Sequence, residues 1–282
     1  MGRPLIATDL DGTLLMTGTH TPHPDAVEAV NRAIAADIPI VFATGRAPSE
    51  IQQIADEVGH RWFAVCCDGT ALVDLRVNEV FRTHPIPADV KRAVVERLRA
   101  VYPDVRFLAE AISIGPVPPV RDGLLVERGF EAPWAWALEG ARGVDDINEV
   151  IDNPDIVKLC AFRNVPNADP HGFDGVTGVL SDLVTSVRIG NELTFVDICA
   201  RGVSKATGVA EFAELEGISP EDVFAVGDMH NDYELLLWAG RSFAVANAVE
   251  RLHEVADLIV PTNDEGGVVQ VVEAALLHLR QS

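Results

Sequence analysis

The sequence predicts an α/β protein, with a doubly wound parallel-sheet (Rossmann-like) core split by an inserted α+β domain. Three observations lead there. Wholly apolar runs alternate with amphipathic stretches at both ends of the chain. That rhythm fails in between. And 282 residues are too many for one small domain and suit two. Strands buried on both faces read as continuous apolar runs, and the helices that cover them carry an apolar stripe at i, i+3, i+7.

The first strand is Leu5-Ile6-Ala7, leading into Thr8-Asp9-Leu10-Asp11-Gly12-Thr13. A helix follows over 24–36, with Val27, Val30 and Ile34 on one face. Pro39-Ile40-Val41-Phe42-Ala43 is a second strand, broken by Gly45; Ile51, Ile54 and Val58 mark a helix over 49–58; and 62–66 is a third strand, ended by Asp68-Gly69. From about Arg82 to Arg188 the apolar runs are short and broken by prolines such as Pro85, Pro103, Pro119 and Pro154. A helix over 88–101 and strand-like runs at 105–108 and 155–160 give this stretch α+β texture. The first rhythm then returns: strands at 193–198, 223–226, 243–246 and 258–260, and helices at 203–215, 231–239 and 267–279. The expected division is a core of residues 1–81 and 189–282 around an insertion of 82–188. Within the insertion, Trp134 and Trp136 read as packing aromatics or as a substrate platform, and Gly190 at the return crossing as a hinge.

Composition narrows function. Lys plus Arg is 22 and Asp plus Glu is 43, a formal charge of −21. Proteins that bind nucleic acid neutralise phosphates with basic surface, so nucleic acid is excluded as a partner, as is an anionic membrane. No apolar run reaches the ~18–20 residues of a membrane span. A strand-like run beginning at Pro4 leaves no signal peptide, and Cys66, Cys67, Cys160 and Cys199 read as reduced structural thiols. The expectation is a cytoplasmic protein, a monomer or homodimer.

In an open parallel sheet, ligands bind beyond the carboxyl ends of the strands. The polar residues found there are Asp9 and Asp11 after the first strand, Thr44-Gly45-Arg46 after the second, and Gly227-Asp228 with Asn231 and Asp232 after the 223–226 strand; Lys205 opens a helix. Strand periodicity points Asp9 and Asp11 the same way. Two close carboxylates repel, and a magnesium ion relieves this with oxygen ligands and open positions, Asp228 adding a further carboxylate. The other reading of Asp11-Gly12 is a plain turn pair.

These residues resemble the motifs of the haloacid dehalogenase (HAD) superfamily of phosphohydrolases. Asp9-Leu10-Asp11-Gly12-Thr13 resembles the first motif, Thr44 the second, Lys205 the third and Gly227-Asp228-Met229-His230-Asn231-Asp232 the fourth. Ala43-Thr44-Gly45-Arg46, the inserted cap and Asn263-Asp264-Glu265-Gly266-Gly267 resemble the Cof-like, type IIB subfamily. Two positions depart from it: Asp68-Gly69 stands where Asn-Gly is usual, and Ala246-Asn247-Ala248 where Gly-Asn-Ala is usual. The resemblance implies a magnesium-dependent phosphatase of a small phosphorylated metabolite, a sugar phosphate or cofactor phosphate. Asp9 is then the nucleophile that forms an aspartyl-phosphate, and Asp11 the acid and base. Thr44 and Gly45 hold phosphoryl oxygens with Lys205. Asp9, Asp11 and Asp228 hold the metal, Asp11 through its carbonyl, and Asn231 and Asp232 orient water and Lys205. Arg46 reads as a rim or structural residue. The competing readings are a phosphomutase of the same superfamily and a non-catalytic phosphate-binding module.

Overall fold

A computed structural model describes residues 2–59, 62–130, 138, 140–163, 175–189 and 195–281. The chain opens with β1 (Leu5–Thr8), α1 (Pro24–Ala35), β2 (Ile40–Ala43), α2 (Gln52–Glu57), β3 (Phe63–Cys66), β4 (Ala71–Asp74) and β5 (Glu79–Thr83). It continues through α3 (Ala88–Val101), β6 (Arg106–Ala111), β7 (Gly115–Pro116), β8 (Leu124–Glu127), β9 (Arg142–Val144), β10 (Ile156–Phe162), α4 (Val176–Leu180), β11 (Val184–Ile189) and β12 (Phe195–Ala200). It closes with α5 (Lys205–Leu215), β13 (Val223–Gly227), α6 (Tyr233–Trp238), β14 (Arg241–Val245), α7 (Glu250–His253), β15 (Leu258–Val260) and α8 (Val268–Gln281). Two compact units result: Met1–Phe81 with Ser204–Ser282, and Arg82–Val203.

In the first unit the strands lie in the order β15-β14-β13-β1-β2-β3-β4-β5. From β15 to β3 all neighbours are parallel, and β4 turns back antiparallel to β3. Every residue of β1 is buried. Leu5 and Ala7 pack with Val209 and Phe212 of α5 and Leu235 of α6, while α8 lies against β1 and β13 with α1 beside it. Both faces are thus covered, which is why these strands are apolar throughout. The chain steps from β1 to β2 and β3 on one side, and β13 to β15 fill the other. The switch point lies between β1 and β13, where such sheets open a crevice at the carboxyl ends of the strands.

Helix starts follow local chemistry. Pro24 opens α1, and the His23 side chain accepts from the Asp25 N–H. Ser204 caps α5, its side chain accepting from the Thr207 N–H. Gly208 allows α5 to sit against β3, since a Cβ there would stand 2.5 Å from a Val65 methyl carbon.

The second unit is an antiparallel sheet, with one parallel pair at its β9 edge, in the order β11-β12-β10-β6-β8-β9. α3 and α4 cover one face, where Val94, Leu98 and Leu180 pack with Phe107, Leu159 and Val196. Leu108, Cys160, Phe162 and Phe195 cluster with Phe130 on the other. The strand expected at 193–198 in the core is β12, and it pairs antiparallel with β10 and β11 inside this sheet. The return to the first unit therefore comes at Ser204 rather than at 189. Trp134, Trp136 and Gly190 lie outside the described residues. Among the described residues no helix is long and apolar enough to cross a membrane.

Candidate active site

The carboxyl end of β1 delivers Asp9 into the crevice. Its N–H donates to the Val226 carbonyl at 3.0 Å, extending the pairing with β13 by one residue. The chain then turns: the Leu10 carbonyl accepts from the N–H groups of Thr13, Leu14 and Leu15. This turn ends strand alternation, so Asp9 and Asp11 part company. Asp9 is buried, whereas the Asp11 side chain is 57% exposed. Asp11 lies near enough for its charge to add to the crowding on Asp9, but its carboxylate is held by Arg46, from Nε to Oδ2 at 2.7 Å and from Nη2 to Oδ1 at 2.5 Å.

Three carboxylates gather instead as Asp9, Asp228 and Asp232, with oxygens all within 4.8 Å of one another and all three residues buried. Lys205, the first residue of α5, reaches into this group and is 1% exposed. Its Nζ donates to Asp9 Oδ1 at 2.6 Å and to Asp232 Oδ1 at 2.7 Å. The other Asp232 oxygen accepts from the N–H groups of Asp228 and Met229, both at 3.1 Å, so Asp232 shapes the turn after β13 as well as seating the lysine. Thr13 Oγ1 donates to Asp228 Oδ1 at 3.2 Å. The loop after β1 passes close by: a Cβ on Gly12 would stand 2.5 Å from Asp228 Oδ2, and Gly12 has φ +76°. Only glycine combines that backbone with that approach. The Asn247 side chain donates to the Gly12 carbonyl at 2.8 Å and fixes the loop there.

Thr44, fully buried at the end of β2, accepts from the Arg46 N–H at 3.1 Å through its hydroxyl. Its carbonyl accepts from the Asp68 N–H at 3.0 Å. Gly45 faces Asp68, since a Cβ there would lie 3.4 Å from its Oδ1. Asn231 does not join the three carboxylates; its Nδ2 donates to Asp68 Oδ1 at 2.8 Å. Asp68 holds a left-handed backbone at φ 58°, a conformation Asp and Asn tolerate better than most residues. Asp264 accepts from the Thr17 N–H at 2.7 Å, and Glu265 accepts from Thr262, so both organise turns.

Charge and burial set the character of the cluster. Burial pushes the Asp9 carboxyl well above the ordinary range; Lys205 opposes this, and Asp232, Asp228 and Asp11 add to it. Burial, then Asp232, pushes Asp228 up to about 7. Burial alone would pull the Lys205 ammonium down, but Asp232, Asp9 and Asp68 outweigh it and hold the lysine charged. One ammonium thus faces three buried carboxylates. An all-oxygen donor set with surplus negative charge fits a hard divalent cation such as magnesium.

Asp9, Asp228, Lys205 and Asp232 are therefore brought together, Thr44 and Gly45 stand at the neighbouring strand end, and Asp11 and Asn231 turn to Arg46 and Asp68. From sequence, Arg46 reads as a rim or structural residue and Asp68 as a departure from the subfamily pattern. Each follows the end of a parallel strand, the one signal that marked them. The haloacid dehalogenase-like hydrolase family matches residues 6–272. The chain belongs to that family. Among HAD relatives, it is 26% identical to the pyridoxal phosphate phosphatase YbhA of Escherichia coli (strain K12), over 97% of this chain and 98% of that protein. It is 24% identical to the 5-amino-6-(5-phospho-D-ribitylamino)uracil phosphatase YwtE of Bacillus subtilis (strain 168), over 96% and 97%. A crystallised HAD phosphatase from Bacteroides thetaiotaomicron is 27% identical and superposes with a TM-score of 0.77, over 97% of this chain and 95% of that one.

Proposed function

We propose that this HAD hydrolase is a magnesium-dependent phosphatase of a small phosphomonoester, a sugar phosphate or cofactor phosphate, working through an aspartyl-phosphate on Asp9. The observation that carries the reading is Asp9 on Lys205 Nζ at 2.6 Å with Asp228 and Asp232 beside it. The names of the two relatives, phosphatases of pyridoxal phosphate and of a phosphoribitylamino-uracil, support a small phosphomonoester as substrate. Asp9, Asp228 and Asp232 carry the oxygens that suit magnesium, which when bound supplies positive charge against the phosphoryl group.

The chain's own residues do the rest. Lys205 favours the ionised form of Asp9 against the burial that opposes it, and offsets the repulsion between Asp9 and an incoming phosphate. An Asp9 oxygen attacks phosphorus as the ester oxygen departs, taking a proton from Asp11. Water then attacks the phosphoryl group on Asp9, Asp11 accepts its proton, and phosphate and free Asp9 result. Thr44 and the backbone at Gly45 hold phosphoryl oxygens. The second unit acts as the cap that selects the leaving group. The buried cysteines, none of them in a disulfide, suit work in a reducing cytoplasm.

The test is phosphate release from a panel of phosphometabolites, with and without a chelator, joined to mass spectrometry of acid-quenched protein. The expected result is metal-dependent turnover and a phosphoryl group on the peptide that contains Asp9. Isomerisation without release would point to a phosphomutase. Binding without either reaction would point to a phosphate-binding module.

A further inference from the structure

The Arg46 guanidinium spends three of its donors on two side chains. Nε and Nη2 take the two oxygens of Asp11, and Nη2 also donates to His20 Nδ1 at 3.0 Å. The fork is itself held: the Arg46 N–H is tied to Thr44 Oγ1 at 3.1 Å, its carbonyl accepts from the Cys67 N–H at 2.9 Å, and its side chain is only 11% exposed. Asp11 sits on a turn with a largely exposed side chain. Left alone, it would spread over its staggered rotamers. A planar guanidinium takes a carboxylate in one orientation, which a lysine cannot do. His20 comes from the turn after β1, closed by the Met16 N–H on the Thr21 carbonyl at 3.0 Å, and meets the same Nη2 that donates to Asp11.

We propose that Arg46 is the positioning residue for Asp11, fixing the carboxylate that exchanges protons with the leaving group and the water. The proposal rests on the reading of Asp9 as nucleophile and Asp11 as acid and base. Each Asp11 oxygen offers two lone pairs. One meets Arg46 and the other stays for the reaction, so the clamp need not open for chemistry. Arg46 touches neither phosphorus nor the ester oxygen in this scheme and acts only through Asp11.

The experiment compares phenyl phosphate, whose leaving group needs a proton, with 4-nitrophenyl phosphate, whose leaving group does not. It uses full-length Arg46→Gln, Arg46→Lys, Asp11→Asn and the double variant Asp11→Asn/Arg46→Gln, with magnesium. Arg46→Gln should lower kcat/KM for phenyl phosphate roughly 10- to 100-fold. The loss on 4-nitrophenyl phosphate should stay under about 3-fold, with a burst of nitrophenolate ahead of slowed dephosphorylation. Arg46→Lys should recover only part of the loss. In the Asp11→Asn background, Arg46→Gln should change rates by less than about 2-fold, since its effect is already spent. Equal losses on both substrates, or losses that multiply in the double variant, would overturn the proposal and assign Arg46 to the phosphate or to the fold. The underlying reading fails on a separate signal, namely wild-type rates in Asp9→Asn.

Discussion

Metal-free protein should lose stability as pH rises from 5 to 8, and magnesium should abolish the loss. The perturbed group is Asp228, 8% exposed, whose carboxyl burial and Asp232 push up to about 7 from an ordinary 3.8. A raised folded-state value means that the folded chain keeps the proton where the unfolded chain has released it. The contribution to stability is therefore complete below the unfolded value and is lost as pH climbs through about 7. At ~1.4 kcal/mol per pH unit the whole window is worth about 4 kcal/mol, of which more than half falls between pH 5 and 8. That corresponds to a melting shift of roughly 5–10 °C in a chain of this size. The assay is thermal unfolding of chelator-dialysed protein at four pH values, with Asp228→Asn in parallel to subtract the histidines and the general charge of the chain. Magnesium needs the carboxylates ionised, so its stabilisation should grow with pH and level off above about 7. If wild type and Asp228→Asn share one pH slope without metal, the reasoning about this cluster is refuted.

Other substitutions read other parts of the site. Asp9→Asn should abolish turnover and leave the melting temperature equal or higher, because an amide of the same shape is a poor nucleophile and relieves the crowding of carboxylates; steady-state rates and melting curves check it. Gly12→Ala should cost about 1–3 kcal/mol, from a side chain at positive φ and from the push on Asp228, and should weaken magnesium binding measured by titration calorimetry. Asp68→Asn should shift stability by less than ~1 kcal/mol and keep activity, since an asparagine oxygen still accepts from Asn231 and suits the left-handed backbone.

The core was legible because its strands are buried on both faces, so their apolar runs stand out from the amphipathic helices between them. Lys205 and Asp228 were legible because α5 and β13 each place them at a defined end of an element. The shared direction expected of Asp9 and Asp11 rests on the alternation rule, which holds only as far as the strand: the Leu10 carbonyl gathers three N–H groups just past Asp9, and the Asp11 side chain is largely exposed. The Arg46 partnership joins residues 35 apart in sequence, and no local pattern encodes it. The inserted region looked irregular for a different reason. Charged side chains sit within its strands, each answered by a partner elsewhere: Glu110 by Arg121, Glu127 by Arg99, Lys158 by Asp197. A buried ion pair interrupts an apolar run without interrupting the strand. That is also why β12 was assigned to the wrong sheet, since an apolar run of its length reads alike in a parallel core and in an antiparallel insertion.

The arrangement of charge bears on why a chain of net charge −21 handles anionic esters at all. Two cationic side chains stand by Asp9, Lys205 and Arg46, and both are already engaged. Lys205 is shared between Asp9 and Asp232, and Arg46 is taken by both oxygens of Asp11. Neither can turn fully to a phosphate without baring a carboxylate, in Lys205's case a buried one, and an unpaired buried charge costs several kcal/mol. The positive charge that a phosphoryl group requires must then come from elsewhere, from backbone N–H groups at the strand ends and from a cation seated on the Asp9, Asp228 and Asp232 oxygens. Against that triad and Lys205 a divalent ion supplies twice the charge of a monovalent one, and so moves the pocket further toward attracting an anion.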